Sequence, residues 1–317
     1  MIKTVITGGA GFIGSHLADE LSDRGYRVTI IDDLSTGKEA NIAHLLKEDK
    51  ATLIKDSVTS LSRLESAFAG ARYVFHLAAI ASVPRSLANP ELTHEVNATG
   101  TLNVLLAARS NKVDKVVFAS SAAVYGDTGD SPQREDMLPN PKSPYAVSKL
   151  AGEYYCTVFS RAYNLPTVVM RYYNVYGPRQ DPKSEYSGVI SQFLLRASKG
   201  KPPEIFGDGE ATRDFVYVKD VVKANLLAAE SDASGIFNIG TGGKISIHEL
   251  AKLAIKLADK KLEPVYREER AADIKHSLAD ITKASGFGYK PEYSLEEGLK
   301  ETIEMLAAPK QRVFDLK

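Results

Sequence analysis

The chain has 317 residues, enough to bury a large core, and its length and composition indicate a globular protein of two lobes. Lys plus Arg and Asp plus Glu number 40 each, so the chain has no excess of positive charge. Its net charge therefore does not indicate nucleic acid or an anionic membrane as a partner. A single cysteine, Cys156, excludes an internal disulfide framework and predicts a cytoplasmic location, and the six histidines lack the spacing of a metal site. We therefore expect no metal, no signal peptide and no membrane span.

The first element is a β-rich run from Lys3 to Thr7, followed by glycines and a helical pattern from Ser15 to Arg24. Glycines between a strand and a helix are typical of dinucleotide sites, because they let the backbone approach a pyrophosphate at the helix N-terminus. The glycines fit two registers, Gly9-x-Gly11-x-x-Gly14 and Gly8-x-x-Gly11-x-x-Gly14. Either register predicts a phosphate-binding turn.

The second strand, Arg27 to Ile31, ends in Asp32 and Asp33. Asp32 lies 18 residues after Gly14, near the distance at which a carboxylate meets the adenosine ribose 2′-hydroxyl. A carboxylate there repels a 2′-phosphate, so the sequence favours NAD over NADP. The third strand is expected from Ala51 to Ile54, and Asp56 after it is expected to face the adenine amino group.

The fourth strand, Tyr73 to Leu77, leads into four small or apolar residues, 78–81, along which a cofactor could lie. The helical pattern from Leu92 to Ser110 carries Asn97, which we expect to be buried and to tie this helix to the sheet. The prediction for Asn97 is a structural role beside the cofactor.

The fifth strand, Lys115 to Ala119, ends in Ser120 and Ser121. Ligands of open parallel sheets bind beyond the carboxyl ends of the strands, so these serines stand where chemistry is expected. The alternative is that they only terminate the strand. Pro144 then begins a helix that runs to Ala162.

Tyr145 and Lys149 lie four residues apart on this helix and therefore share one face. If the face lines a cleft, we expect the ammonium to lower the pKa of the phenol from roughly 10 and to make it a base near neutral pH. The alternative is a pair on a solvated helix face.

Five β-then-α units, followed by a strand from Thr167 to Arg171, predict a Rossmann-like, doubly wound parallel sheet of the α/β class. We assign residues 1–171 to this domain, with 215–240 returning to it as a helix and a strand. Residues 172–214 and 241–317 would form a smaller α/β lobe that binds the substrate.

Taken together, the motifs resemble those of the extended short-chain dehydrogenase/reductase superfamily, specifically its nucleotide-sugar epimerases. The matching motifs, in chain order, are Thr7-Gly-Gly-Ala-Gly-Phe-Ile-Gly14, Asp32, Ser121 four before Tyr125, Tyr145-x-x-x-Lys149, Arg171-Tyr-Tyr-Asn174-Val-Tyr-Gly-Pro178, Gly207-Asp-Gly-Glu-Ala-Thr-Arg213-Asp-Phe-Val-Tyr217 and Arg270-x-x-Asp273. Their order along nearly the whole chain makes the resemblance specific.

The resemblance implies a role for each matching residue. Tyr145 would be the base for the sugar 4-hydroxyl, Lys149 would hold the nicotinamide ribose and keep Tyr145 ionised, and Ser121 would relay the proton. The residues implied for binding a tightly held NAD are Gly8, Gly11, Phe12, Ile13, Gly14, Asp32, Asp33, Asp56, Ser57, Leu77, Ala78, Ala79, Asn97, Tyr145 and Lys149.

The resemblance also implies a site for the UDP-sugar. Arginines 213 and 270 would bind the phosphates, Asp273 would lie near the uridine ribose, and Val189 would contact the uracil. The full implied set is Arg85, Ser121, Asn174, Val189, Arg213, Arg270, Asp273 and Ser277. One departure from the family is Ala81, where better-known UDP-galactose epimerases carry a lysine that contacts the cofactor.

Three segments resemble the epimerases that prefer N-acetylated UDP-hexosamines: Ser82-Val-Pro-Arg85-Ser86, Arg179-Gln-Asp-Pro182 and His276-Ser277-Leu-Ala-Asp280. By alignment from Asp273, Ser277 falls where a bulky residue would reject a C2 acetamido group. The small serine predicts UDP-GlcNAc and UDP-GalNAc as substrates, with UDP-Glc and UDP-Gal as further ones. An incidental surface serine is the alternative.

The sequence therefore predicts an NAD-dependent UDP-sugar 4-epimerase that oxidises C4 transiently to a 4-keto sugar. A UDP-glucuronate 4-epimerase or decarboxylase is the alternative, since Arg85 could meet a sugar carboxylate, and a non-catalytic NAD-sensing protein is disfavoured by the intact Ser121, Tyr145 and Lys149. As in the family it resembles, we expect a homodimer through a four-helix bundle, to which each subunit contributes the helices around Leu102–Ala108 and Tyr154–Tyr163. Packing inside one chain is the competing explanation.

Overall fold

The computed structural model describes residues 1–129, 132–181, 188–269 and 275–307. The strands in these ranges are β1 (Lys3–Thr7), β2 (Arg27–Ile31), β3 (Ala51–Ile54), β4 (Tyr73–His76), β5 (Lys115–Ser121), β6 (Thr167–Tyr172), β7 (Asn174–Tyr176), β8 (Glu204–Phe206), β9 (Thr212–Arg213), β10 (Phe215–Tyr217), β11 (Gly235–Ile239), β12 (Ile245–Ser246), β13 (Val265–Arg267) and β14 (His276–Ser277).

The helices connect and cover these strands. They are α1 (Phe12–Asp23), α2 (Ala43–Lys47), α3 (Leu61–Phe68), α4 (Val83–Ala88), α5 (Pro90–His94), α6 (Gly100–Ser110), α7 (Pro144–Tyr163), α8 (Val189–Ser198), α9 (Val218–Glu230), α10 (Ile247–Leu257), α11 (Thr282–Ser285) and α12 (Leu295–Ala307). Within the described ranges, no helix is long and apolar enough to span a membrane.

A seven-stranded parallel sheet forms the centre, in the order β11-β6-β5-β4-β1-β2-β3. Its inner strands are buried on both faces, which explains their continuous runs of β-branched and aromatic residues. The strand order reverses at β1, so the carboxyl ends of β1 and β4 frame the crevice in which such sheets bind ligands. The predicted Rossmann-like fold is confirmed, and β11 joins the same sheet beside β6.

Several element boundaries differ from the prediction, and two of these differences lie beside the cavity. Helix α1 begins at Phe12, three residues before the predicted start, because Gly11 already has the extended backbone of an N-cap. The predicted helix from Leu92 to Ser110 is divided into α5, a π-helical turn at Glu95–Thr99 and α6. Gly100 follows the π turn, and a Cβ atom there would come within 2.6 Å of Val58, so close packing requires glycine.

The short strands lie outside the main sheet. Strand β10 pairs with β7, β8 with β13, and β9 lies between β12 and β14. Helices α8, α10 and α12 pack on a separate apolar cluster that includes Phe193, Leu194, Leu250 and Leu299. Helix α10 begins with a capping box, in which Ser246 and Glu249 satisfy each other's backbone N–H groups.

Candidate active site

A cavity of about 490 Å³ opens at the carboxyl ends of the central strands. Every residue predicted to bind the cofactor lines it except Asn97; these are Gly8, Gly11, Phe12, Ile13, Gly14, Asp32, Asp33, Asp56, Ser57, Leu77, Ala78, Ala79, Tyr145 and Lys149. Residues that lie more than 130 positions apart in the chain therefore meet at one site. Arg85 and Ala81 also face this cavity.

The glycine turn between β1 and α1 has no room for side chains. Gly8 has a φ of +73°, and a Cβ atom there would lie 2.7 Å from the backbone nitrogen of Ala78. At Gly14, a Cβ atom would lie 2.2 Å from the Gly8 carbonyl oxygen. Because Gly8, Gly11 and Gly14 line the cavity and Gly9 packs on β2, the second glycine register faces the ligand. A bare backbone cradle at a helix N-terminus fits the pyrophosphate of a dinucleotide.

Asp32 is buried at the end of β2. One carboxylate oxygen accepts the Ala10 N–H and the other the Leu34 N–H, both at 2.9 Å. Burial raises the pKa of Asp32, and these two N–H groups act in the opposite direction. Each oxygen keeps a further lone pair, so a carboxylate fixed in this way can also accept ribose hydroxyls.

Two basic residues at the cavity were missed in the sequence. Lys38 pairs with Asp181, and Arg179 pairs with Asp19 at 2.7 Å. Lys38 and Arg179 both line the cavity, and each is joined to a carboxylate from a different segment of the chain. No local motif indicates such pairs, since their members are more than 100 residues apart. The contact of Lys38 with Asp181 joins the loop after β2 to the segment after β7, and both residues line the cavity.

The helix that carries Tyr145 begins where the sequence predicts. Ser143 is its N-cap, its hydroxyl accepting the Ala146 N–H at 3.2 Å, and Pro144 occupies the first turn. This start directs Tyr145 into the cavity, and Ser121 of β5 lies near enough to its phenol to lower the pKa of that group. The Ser121 hydroxyl accepts the N–H of Ala123, which fixes its orientation.

The electrostatics of the tyrosine differ from the prediction. Burial raises the pKa of Tyr145, and only the hydrogen bond to Ser121 opposes this. The Lys149 ammonium donates to the Ala119 carbonyl at 2.8 Å and lies 5.1 Å from the centre of the Phe118 ring. Burial lowers the pKa of Lys149 itself to about 8. The predicted lowering of the phenol's pKa by Lys149 is therefore wrong for this structure, because desolvation dominates at both groups.

Asn97 lies behind the cavity wall. Its side-chain oxygen accepts the Ile80 N–H at 2.8 Å, and its amide donates to the Ile80 carbonyl and to the hydroxyl of Ser148. The π-helical turn places Asn97 at this junction of β4, α6 and α7. It supports the wall, as predicted, without lining the cavity.

Three of the predicted substrate residues lie close together beyond the sheet. Arg213 and Ser277 are partners in the pairing of β9 with β14, and the Asn174 amide donates to the Asp214 carbonyl at 3.0 Å. The Arg213 guanidinium donates to the Thr212 and Lys275 carbonyls. Val189 is the first residue of α8. Predicted residues Arg270 and Asp273 lie outside the described residues.

One pair of residues at the site was not predicted. Glu153 lies one helical turn after Lys149 and forms an ion pair with Arg171 of β6, and both are buried. Its carboxylate also accepts the hydroxyl of Ser120, which lines the cavity. The only signal in the sequence is spacing, since Glu153 continues the four-residue interval from Tyr145 to Lys149.

Comparison with known proteins identifies relatives over almost the whole chain. The model of the NAD dependent epimerase/dehydratase family matches residues 4–240. The chain is 40% identical to the UDP-glucose 4-epimerase of Mycolicibacterium smegmatis over 96% of its length and 98% of the relative's. Two solved structures are each 42% identical over 96% of this chain and 98% of theirs: the UDP-glucose 4-epimerase of Thermotoga maritima with UDP-glucose (TM-score 0.92), and the UDP-N-acetylglucosamine 4-epimerase of Methanobrevibacter ruminantium with UDP-N-acetylmuramic acid (TM-score 0.93).

Proposed function

Because the chain belongs to the NAD dependent epimerase/dehydratase family, we propose that it is an NAD-dependent 4-epimerase of UDP-hexoses. The observation that carries this proposal is Tyr145, which lies beside Ser121 and one helical turn from Lys149, at the wall of a cavity that fits a dinucleotide. Bound NAD would accept a hydride from C4 of the sugar and return it to the opposite face of the same carbon, with no net oxidation of the sugar.

The side chains would handle the proton of the 4-hydroxyl. Tyr145 would remove it and later return it, and Ser121 would hydrogen-bond the same oxygen and relay the proton. Lys149, as an ammonium, would hold the nicotinamide ribose. Burial raises the pKa of Tyr145 and Ser121 opposes this, so ionisation of the phenol would depend on Ser121. The 4-keto sugar would then turn within the pocket.

NAD is the cofactor of the family, and we propose that this chain holds it tightly. A reaction without net redox change needs no exchange of the dinucleotide. The glycine cradle and the contact of Lys38 with Asp181, which joins two loops at the cavity, support retention. In this proposal residues 1–171 and 215–240 form the NAD-binding domain, and 172–214 and 241–317 form the lobe for the UDP-sugar.

For the sugar, we propose a preference for UDP-GlcNAc and UDP-GalNAc, with UDP-Glc and UDP-Gal also accepted. Two solved epimerases that are named for different sugars are each 42% identical to this chain. The proposed sugar preference therefore rests on the residues of the sugar pocket. Ser277 is 9% exposed and pairs through its strand with Arg213, which places a small side chain beside a proposed phosphate ligand. A buried position of this kind supports a role in selection over that of an incidental surface serine.

We further propose a cytoplasmic homodimer. Helix α7 exposes Val147, Tyr154 and Val158, which lie on one face of the helix and are each more than half exposed. Leu102 and Leu106 of α6 are partly buried against the protein's own core, so α7 would supply the larger part of the contact. The cytoplasmic location is supported by Cys156, a free thiol within that core.

Proton NMR of the purified protein, without added NAD, tests the function directly. UDP-GlcNAc and UDP-Glc are supplied separately, and we expect both galacto-isomers, with UDP-GlcNAc converted faster. Tyr145→Phe should reduce the rate at least about 100-fold while the binding of UDP-sugar persists. Tyr154→Phe, an exposed tyrosine on the same helix, is the matched control and should stay active.

The alternatives give different results in the same assay. Turnover of UDP-glucuronate and of neither other sugar would indicate a uronate enzyme and overturn the hexose assignment. The residue that supports this alternative is Arg85, which lines the cavity. No conversion of any of the three sugars, even with NAD added, would favour a non-catalytic NAD-binding protein. An active Tyr145→Phe enzyme would contradict the role of the base.

A further inference from the structure

Three buried charged groups lie in and behind the cavity wall. Lys149 and Glu153 are on successive turns of α7, and Arg171 is on the neighbouring strand β6. Their side chains are at most 4% exposed. Charged groups at this depth lose their hydration, so each depends on its protein partners to stay ionised.

Glu153 connects the group to the cavity. Its oxygens accept the Arg171 Nε at 3.0 and 3.2 Å and Nη2 at 2.6 Å. The same carboxylate accepts the hydroxyl of Ser120, which lines the cavity. Gly152 brings the helix this close, because a Cβ atom there would lie 2.5 Å from the Phe118 ring. One carboxylate thus contacts a strand end at the cofactor and a cation deeper in the core.

The charge of Lys149 depends on the same carboxylate. Burial lowers the pKa of Lys149 to about 8, and the main opposing influence is the negative charge of Glu153. The neighbouring Cys156 acts in the same direction more weakly, and burial raises its own pKa, so it stays a thiol. Glu153 is therefore the carboxylate that favours the ammonium.

The other titratable neighbours carry no negative charge near neutral pH. His76 on β4 faces Lys149 and stacks on Phe118, and burial lowers its pKa to about 3, so its ring is neutral. Burial raises the pKa of Tyr145 on α7. Arg171 on β6 is a cation that Glu153 offsets.

We propose that Glu153 is a positioning residue for the epimerase reaction: it keeps the Lys149 ammonium charged and holds Ser120 in place at the cofactor cavity. The inference rests on the proposed function, because it assumes that Lys149 acts as a cation beside Tyr145. The competing explanation is that Glu153 serves only to neutralise Arg171 in the core.

Two variants separate these explanations. Glu153→Gln keeps the shape of the side chain and removes its charge, and it leaves Arg171 buried and unpaired, which threatens folding. Glu153→Gln/Arg171→Met removes both charges and so restores balance in the core. Asp220→Asn is the matched control, because Asp220 is a buried carboxylate at the start of α9 that accepts the Glu292 N–H at 2.8 Å.

The main measurement is a pH titration of Lys149 in the purified protein by NMR with ¹³C-labelled lysine, its signal assigned by its absence in Lys149→Met. We expect the midpoint to fall by about one unit in Glu153→Gln and by less in the double variant, because loss of the Arg171 cation acts in the opposite direction. The alkaline limb of the kcat–pH profile should shift to lower pH by the same amount, because the Lys149 ammonium then loses its proton at lower pH. Asp220→Asn should leave both unchanged.

An unchanged midpoint in Glu153→Gln would overturn the proposal. A wild-type midpoint in the double variant would overturn it too, because the charges of Glu153 and Arg171 would then cancel in their effect on Lys149. The titration needs no substrate, so it decides the matter separately from the assay of epimerase activity. A wild-type protein inactive on every UDP-sugar would refute the proposed function, and the titration would still report whether Glu153 controls the charge of Lys149.

Discussion

Lys149 shows how far one residue's chemistry depends on its surroundings. In the sequence it is a lysine four positions after a tyrosine; in the structure its ammonium is buried between Phe118 and the Ala119 carbonyl. Burial lowers its pKa to about 8, which places its loss of charge just above neutral pH. A lysine kept near its titration point is typical of a functional site rather than of a structural one.

This lowered pKa predicts a pH-dependent stability. Between about 8, the folded pKa, and 10.5, the ordinary value, the unfolded chain binds more protons, so stability rises with pH in that window. Relative to Lys149→Met, the wild-type free energy of unfolding should increase by about 2–3 kcal/mol from pH 7 to pH 10.5. Urea unfolding of both proteins at a series of pH values measures the difference.

The control for this prediction is Lys142→Met, at an exposed position just before the same helix. This variant removes a lysine from the surface and leaves the buried site intact. A difference from the wild type that stays constant with pH for Lys149→Met would mean that Lys149 titrates normally in the folded protein.

At the scale of elements, the turn between β1 and α1 makes space for the cofactor because its glycines carry no side chains. Helix α1 starts at Phe12, so its free N–H groups face the cavity, and the glycines keep the approach open. The π-helical turn at Glu95–Thr99 contributes to the site in another way. Its wider turn orients the Asn97 side chain toward Ile80, whose N–H it accepts.

Gly14→Ala should therefore damage both the fold and the cofactor site. Its Cβ atom would lie 2.2 Å from the Gly8 carbonyl, so the turn must shift, at a cost of roughly 1–3 kcal/mol. We expect a lower Tm and little NAD in the purified protein, measured by absorbance after denaturation. Gly243→Ala is the control, because a Cβ atom there meets nothing closer than Thr241 at 3.5 Å. Wild-type NAD content in Gly14→Ala would show that the turn is not the pyrophosphate site.

At the scale of the whole molecule, the exposed apolar side chains of α7 bear on assembly. Val147, Tyr154 and Val158 recur at helical spacing on the side of α7 that faces away from the catalytic residues. A row of exposed aliphatic and aromatic groups is more favourable against a second copy than against water. This is the physical basis of the proposed two-fold contact.

Val158→Glu should weaken the dimer, since two carboxylates would be brought together in an apolar contact. Sedimentation velocity should show the wild-type protein as a dimer and the variant shifted to the monomer at micromolar concentration. Met305→Glu, a half-exposed position on α12, is the matched control and should remain dimeric. A monomeric wild type would contradict the proposal and favour packing within one chain.

Much of the fold was readable in the sequence because it is local. Strands β1, β2 and β3 have the predicted bounds, since runs of β-branched residues between glycines and acids define them without distant partners. Strand β5 continues two residues beyond its predicted end, because Ser120 and Ser121 pair with Arg171 and Tyr172 of β6. The spacing of that pairing cannot be read from either segment alone.

By itself, the sequence determined the parallel α/β architecture, the glycine turn and the placement of Tyr145 and Lys149 on one helix face, because helix and strand periods act over a few residues. Only the tertiary structure decided which residues share the cavity, that Glu153 binds Arg171, and that the pKa of Tyr145 is raised. Those properties depend on burial and on contacts between distant segments. Desolvation is a property of the packed molecule, and no spacing of residues records it.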